Sequence, residues 1–214
     1  MRYRRLSCIF ILSALLILSA CSSFSTDCYE NNSSGALDRF IDVLKNNAVF
    51  YSHTHAGIDQ TTMSELLKGY SWDDEYTVYI QEFSIVDMDG DGVPEVVLQL
   101  SAGGERIVLH YENGTIHAHG FPFRGLNALK YDGTFISSGG AAYNSIGRLY
   151  FLDGGISRTR WLASSNSFEY NGERHPIYFV DDEEASSEMF SHLMSEHLAK
   201  EHVKWYPFDN IINP

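Results

Sequence analysis

Apolar positions along this chain keep two different periods. Leu37, Phe40, Ile41 and Leu44 recur at i, i+3, i+4 and i+7, the stripe of an amphipathic helix. Residues 35–50 (GALDRFIDVLKNNAVF) are therefore predicted helical, with Ser33 or Ser34 as a cap and Asp38 in the first turn. Thr62-Met63-Ser64-Glu65 has capping-box spacing, and Leu66, Leu67 and Gly69 complete a short second helix. From about Tyr76 the period shortens to two. Asn113-Gly114, Asp132-Gly133, Asp153-Gly154 and Asn171-Gly172 then follow at spacings of 19, 21 and 18 residues. Each dipeptide suits a two-residue hairpin turn. The arms are ERIVLHY into TIHAHGF, NALKY into TFISS, GRLYF into ISRTRWL, and SFEY into RHPIYFV.

Helical spacing returns near the end. Met189, Phe190, Leu193, Met194, His197 and Leu198 form one stripe, behind the acidic run Asp181-Asp182-Glu183-Glu184. Negative charge at a helix start is favoured by the helix dipole. Residues of about 183–202 are thus predicted helical, and Val203–Phe208 is an apolar segment expected to pack back on the sheet. The pattern predicts an α+β fold. An antiparallel β-meander over about 76–180 is packed with N- and C-terminal helices.

The first residues follow neither period. MRYRRLSCIFILSALLILSAC starts basic and continues with an apolar run too short to span a bilayer comfortably. Its end, Leu18-Ser19-Ala20-Cys21, resembles the lipobox of bacterial lipoproteins. The resemblance implies a signal peptide over 1–20, lipidation of Cys21 and an extracytoplasmic protein anchored to a bacterial membrane by its lipid. Residues 21–34 read as a polar tether, leaving a single domain over 35–214. Cys8 would leave with the leader and Cys21 would carry lipid. Cys28 is then a lone thiol, and no disulfide framework is expected.

Charge narrows the partners. The chain carries −13, and losing Arg2, Arg4 and Arg5 with the leader takes it to −16. Such a surface repels nucleic acid and suits cations. A 44% hydrophobic content argues against disorder.

That acidity is concentrated in FSIVDMDGDGVPEVVLQL, where two apolar arms flank a run of carboxylates. Asp87, Asp89 and Asp91 stand at loop positions 1, 3 and 5, Gly92 at 6, Val93 at 7 and Glu95 at 9. Alternate side chains of a curled backbone can supply several of the six to eight oxygens, roughly, that Ca²⁺ wants. Position 12 is Leu98, where an EF-hand needs Glu. The stretch is similar to the calcium loops of the FG-GAP/VCBS family, the integrin-type repeats. That resemblance implies Ca²⁺ ligands Asp87, Asp89, Asp91, the Val93 carbonyl and Glu95. It also implies a blade-like sheet, but not a closed propeller, which needs about four to eight four-stranded blades.

Other residues offer chemistry more weakly. His53-x-His55 and His117-x-His119 have zinc-hydrolase spacing, yet no third ligand or base is nominated. Glu196-His197 lacks the second His of H-E-x-x-H. Ser137–Ala142 (SSGGAA) contains neither a nucleophile elbow nor a P-loop lysine. Trp161, Tyr170, Trp205 and Tyr206 are able to stack on sugars, though such aromatics more often pack. The expected function is a non-enzymatic binding or scaffolding module for an extracellular protein or glycan, with a structural calcium loop. The alternatives are a zinc-dependent hydrolase and a carbohydrate-binding module. Cys21→Ser should abolish lipidation and release the protein from membranes, read by fractionation. A variant that stays with membranes and keeps its leader would defeat the lipobox reading.

Overall fold

The computed structural model describes residues 27–209 apart from 55–56, 72–76, 102 and 141–142, with side chains from Gly35 onward except that of Thr54. The expected leader, Cys21, the Cys28 side chain and His55 lie outside the described residues. The chain divides into two units, Met1–Ser34 and Gly35–Pro214. The second holds the sheets and the core.

Three helices and twelve strands are described. They are α1 (Asp27–Leu44), β1 (Phe50–Thr54), β2 (Gly57–Thr61), α2 (Met63–Tyr70), β3 (Ile80–Val86) and β4 (Glu95–Leu100). Then come β5 (Arg106–Glu112), β6 (Thr115–Phe121), β7 (Thr134–Gly140), β8 (Tyr143–Leu152) and β9 (Ile156–Tyr170). β10 (Glu173–Val180), β11 (Glu183–Ala185), α3 (Ser187–Ala199) and β12 (Tyr206–Pro207) complete the chain.

Local signals explain most boundaries. Helix α1 starts at Asp27, inside the stretch expected to be a tether, and stops at Leu44 rather than near residue 50. Once Ala36, Phe40, Val43 and Leu44 are packed, extending a helix upstream adds one bond per residue fixed. It ends where Asn46 takes φ 61° and its amide turns back to the Val43 carbonyl, a left-handed cap. Helix α2 has the capping box read from sequence: the Thr62 side chain accepts from Glu65 N while Glu65 accepts from Thr62 N. Helix α3 begins at Ser187, not near 183. Asp181 and Asp182 take φ 48° and 67° and make a tight turn between β10 and β11. The Ser186 hydroxyl caps the helix by accepting from Met189 N. The acidic run thus serves a turn, and Glu188 supplies the charge in the first helical turn.

The strands form two sheets where the sequence led us to expect one. The larger has the order β12-β3-β4-β5-β6-β1-β2, the smaller β11-β10-β9-β8-β7. Neighbours pair antiparallel except β1, which lies parallel to β6 with Tyr51 opposite His117 and His53 opposite His119. The chain passes between sheets over residues 122–133. Of the expected NALKY arm, Asn127 bridges Ile136 of β7 and Lys130 bridges His202, each as an isolated antiparallel bridge. Arg106 holds this crossing by donating to the Leu126 carbonyl and the Asn127 side chain, with its other terminal nitrogen on Gln99.

The larger sheet is buried on both faces in its middle. Val96, Leu98, Leu100, Ile107, Leu109, Ile116 and Ala118 meet α1 and α2. Val86, Val97 and Val108 meet Phe135 and Leu149 of the smaller sheet, together with Met88, Leu126, Leu129 and Val203. Phe190 of α3 packs with Ile146 and Ala163 on the smaller sheet. Burial on both sides explains the nearly continuous apolar runs VVLQL and RIVLHY.

Lys130, fully buried, ties the crossing to α3. Its ammonium donates to the carbonyls of Leu198 (3.2 Å) and Lys200 (2.9 Å) and bonds His202 Nε2 at 3.0 Å. These carbonyls end a helix, where a cation is favoured. Lys130→Met would remove three hydrogen bonds from a charged donor to partly exposed acceptors, which water can meet in part. We expect a loss of about 1–2 kcal/mol in urea unfolding, against less than about 0.5 for the exposed Lys204→Met.

Candidate metal centre

Val86 and Glu95 face each other as the last residue of β3 and the first of β4, with the acidic loop between them. The loop's amides turn inward onto its own carboxylates. Asp87 accepts from Gly90 N (2.7 Å) and Gly92 N (3.0 Å). Asp89 accepts from Asp91 N at 3.1 Å, and Asp91 from Val93 N at 2.6 Å. Gly133, from the crossing, closes over the loop: a Cβ there would stand 2.5 Å from the Met88 carbonyl, and its φ is +77°. Two parts of the chain far apart in sequence thus shape the loop.

Carboxylate oxygens of Asp87, Asp89 and Glu95 lie within 4.8 Å of one another. Asp91 is exposed and stands outside this trio, and Val93 packs half-buried against the helix-side core. Glu95 has no solvent exposure. One of its oxygens accepts from Met88 N at 2.7 Å and the other lies 3.0 Å from His110 Nδ1. Burial pushes the Glu95 carboxyl up to about 7, although both of these bonds favour the charge. Burial also raises Asp89, aided by the charges of Asp91 and Asp87 and opposed by the Asp91 amide and His110. Crowded, partly desolvated carboxylates gain from a cation. All donors are hard oxygens, which suits Ca²⁺ or Mg²⁺ over softer metals.

Glu95 also opens onto a second cluster. His110 lies flat on Phe151, with centroids 3.9 Å apart and planes 4° apart. Beyond it, His117 and His119 of β6 share the face turned to the smaller sheet, as i and i+2 on a strand must. His53 arrives from β1, with its Nε2 2.9 Å from His117 Nδ1. It also stacks on His119 at 4.5 Å. His119 Nδ1 meets Ser157 Oγ at 3.0 Å, and His117 Nε2 lies 3.7 Å from Glu112. Burial lowers the affinity of His53 and His117 for protons and brings His119 down to about 3. Partial to near-complete burial thus favours the neutral form of each ring. Among the described residues, the acidic trio is the group of three ligating side chains close enough to share an ion; the histidines form no such group. His53 and His117 instead bond each other.

The aromatics singled out from sequence are dispersed. Trp161 stands edge-on to Phe135, Trp205 lies under Arg106, and Tyr206 stacks on Phe83. Tyr170 is exposed near His175 at the far end of β9. Sequence reasoning missed His110, Glu112, Phe151 and Ser157. His110 was within reach, because Val108 and His110 share strand parity. The others join the cluster only through the packing of β8 and β9.

Compared with protein-family models, with curated proteins and with solved structures, the chain matches none of them.

Glu95 gives a pH signature. Its folded carboxyl is raised above the unfolded value, so its contribution is favourable below about pH 4.5 and is lost as pH rises through about 7. In EDTA, Glu95→Gln should therefore be more stable than wild type above pH 7, by as much as ~3 kcal/mol. The difference should vanish at pH 4. Denaturant melts at both values check this.

Proposed function

We propose that this chain is a membrane-anchored, extracytoplasmic binding or scaffolding module without catalytic activity, whose β-domain is stabilised by one Ca²⁺ in the loop 87–95. The observation that carries the ion is the convergence of Asp87, Asp89 and buried Glu95 within 4.8 Å. Asp91 and the Val93 carbonyl complete the set implied by the FG-GAP/VCBS resemblance, and water fills the remaining positions. On this reading the run β3–β6 is a blade-like meander carrying the ion at one end. The membrane anchor rests on the sequence motif ending at Cys21, and the extracellular protein or glycan partner rests on that location.

The ion's role follows from charge. Asp87, Asp89 and Glu95 place three formal negatives around one point, where at least one must stay protonated or be neutralised. A divalent cation neutralises two and fixes the turn between two strands whose flanks are core. Asp132, Lys200 and Thr134 show the protein using the ordinary alternative elsewhere. There, bonds from Lys200 and Thr134 outweigh burial and bring Asp132 down to about 2. No lysine or arginine makes an ion pair with the acidic trio among the described residues.

The test is thermal. An ion that binds only the folded form stabilises by about 2.7 kcal/mol at a hundredfold excess over Kd. Extracellular sites often have Kd of about 10⁻⁴–10⁻³ M, so several millimolar is the working range. EDTA should lower Tm, and Ca²⁺ should restore it better than Mg²⁺. Asp89→Ala should abolish the response and still fold. Identical melts in EDTA and Ca²⁺, with no heat on titration, would sink the proposal.

A further inference from the structure

The histidine cluster sits where three separately folded pieces meet. β6 supplies His117 and His119, and β1 supplies His53. The β8–β9 turn lies directly on the His117 ring. A Cβ at Gly155 would stand 2.0 Å from His117 Nδ1, and Gly155 has φ +68°, so backbone alone fits there. The same turn is tied by Gly154 N donating to Glu112 at 3.2 Å.

The bond between His53 Nε2 and His117 Nδ1 requires one donor and one acceptor. It exists while one proton lies between the two atoms. One added proton can still be shared, an imidazolium donating to the neutral ring, but protonation of both rings turns both atoms into donors and sets two positive rings against each other. Among the described residues, the groups around the pair come from four parts of the chain. β1 contributes Tyr51, stacked on His117 at 5.6 Å. β5 contributes His110 and Glu112, and β6 contributes His119. The β8–β9 segment contributes Phe151, the Gly154–Gly155 backbone and Ser157. Glu95 of β4 reaches the cluster through His110. Glu112 favours a charge on His117, but it is one carboxylate beside three imidazoles.

We propose that His53, His117 and His119 form a proton-operated latch, which holds the β1–β2 hairpin and the β8–β9 turn in place at neutral pH and releases them in mild acid. The latch is independent of the calcium reading, since none of its three rings contacts the acidic loop's carboxylates. Burial lowers all three rings. Protons therefore bind better to the opened form, and stability present above about pH 6.5 is lost as pH falls. The hairpin is the piece that yields. Its register with the rest of the sheet covers Tyr51–His53, and its other partner is β2, an edge strand. Weakly tied edges open locally without global unfolding.

Hydrogen exchange read by mass spectrometry tests this, with EDTA present throughout so that no cation contributes. Rates at pH 7.5 and 5.0 are compared after correction for the intrinsic pH effect. We expect residues 50–54, 57–61 and 153–157 to exchange about tenfold faster in acid relative to β3 and β4, the equivalent of about 1.4 kcal/mol. The double variant His53→Gln, His119→Gln should keep the hairpin protected at pH 5.0. Should that variant not fold, side-chain NMR of wild type decides: the three rings should titrate together, below the usual histidine range, with loss of hairpin protection. Three outcomes overturn the latch: equal protection at both pH values, acid loosening confined to residues 83–98, or ordinary titration near 6.5 with the hairpin unmoved.

Discussion

A carboxylate without solvent exposure must be compensated, and Glu95 sits where the compensation has to come from both sides. On one side stands the loop, through the Met88 amide and the neighbouring aspartates. On the other stands His110, pressed flat on Phe151 of the opposite sheet. Met88 itself is fully buried under the crossing, and Gly133 must be glycine to let the two backbones touch. The placement of one acidic side chain at the head of β4 thus couples the loop, the inter-sheet core and the crossing. Replacing it by an apolar residue would leave His110 and the Met88 amide without their partner.

The two polar clusters on this face obey opposite electrostatics. In the acidic loop, burial and mutual repulsion drive carboxylates toward protonation, and a cation relieves both. In the histidine cluster, burial drives the rings toward neutrality, and protons are what the arrangement resists. Glu95 and His110 form the seam. The larger sheet stays anchored by its helix-side core, which is built of aliphatic and aromatic side chains.

Two cations act as fasteners for the passage between sheets. Arg106 binds carbonyl and amide oxygens of the incoming segment, and Lys130 binds the carbonyls that end α3. Neither relies on an ion pair. A buried cation bonded to backbone oxygens is held by geometry, whereas an exposed pair such as Arg160–Asp181 contributes little. That economy fits a strongly acidic chain with few cations to spare.

The hairpins, the helix α2 with its capping box, and the acidic loop were legible along the chain. Each is a short-range affair: turn dipeptides, cap spacing and alternate carboxylates act over fewer than about ten residues. The same locality explains the errors. Asp181-Asp182 has the composition of a helix start, but β10 and β11 pair across it and claim it as a turn. The polar residues before Gly35 have poor helical propensity, but the packed stripe that follows extends a helix into them. NALKY has the pattern of a strand, but Leu126 and Leu129 are drawn into the inter-sheet core and Ala128 takes φ 47°, so the pairing with β7 stops at the Asn127–Ile136 bridge. What tertiary structure alone decided was the meeting of distant parts. His53 lies beside His117, Gly133 over Met88 and Phe151 under His110 because two sheets pack face to face, and such packing depends on total shape rather than on any local pattern. Sequence named the carboxylates and two of the histidine pairs; the fold made Glu95 the link between them.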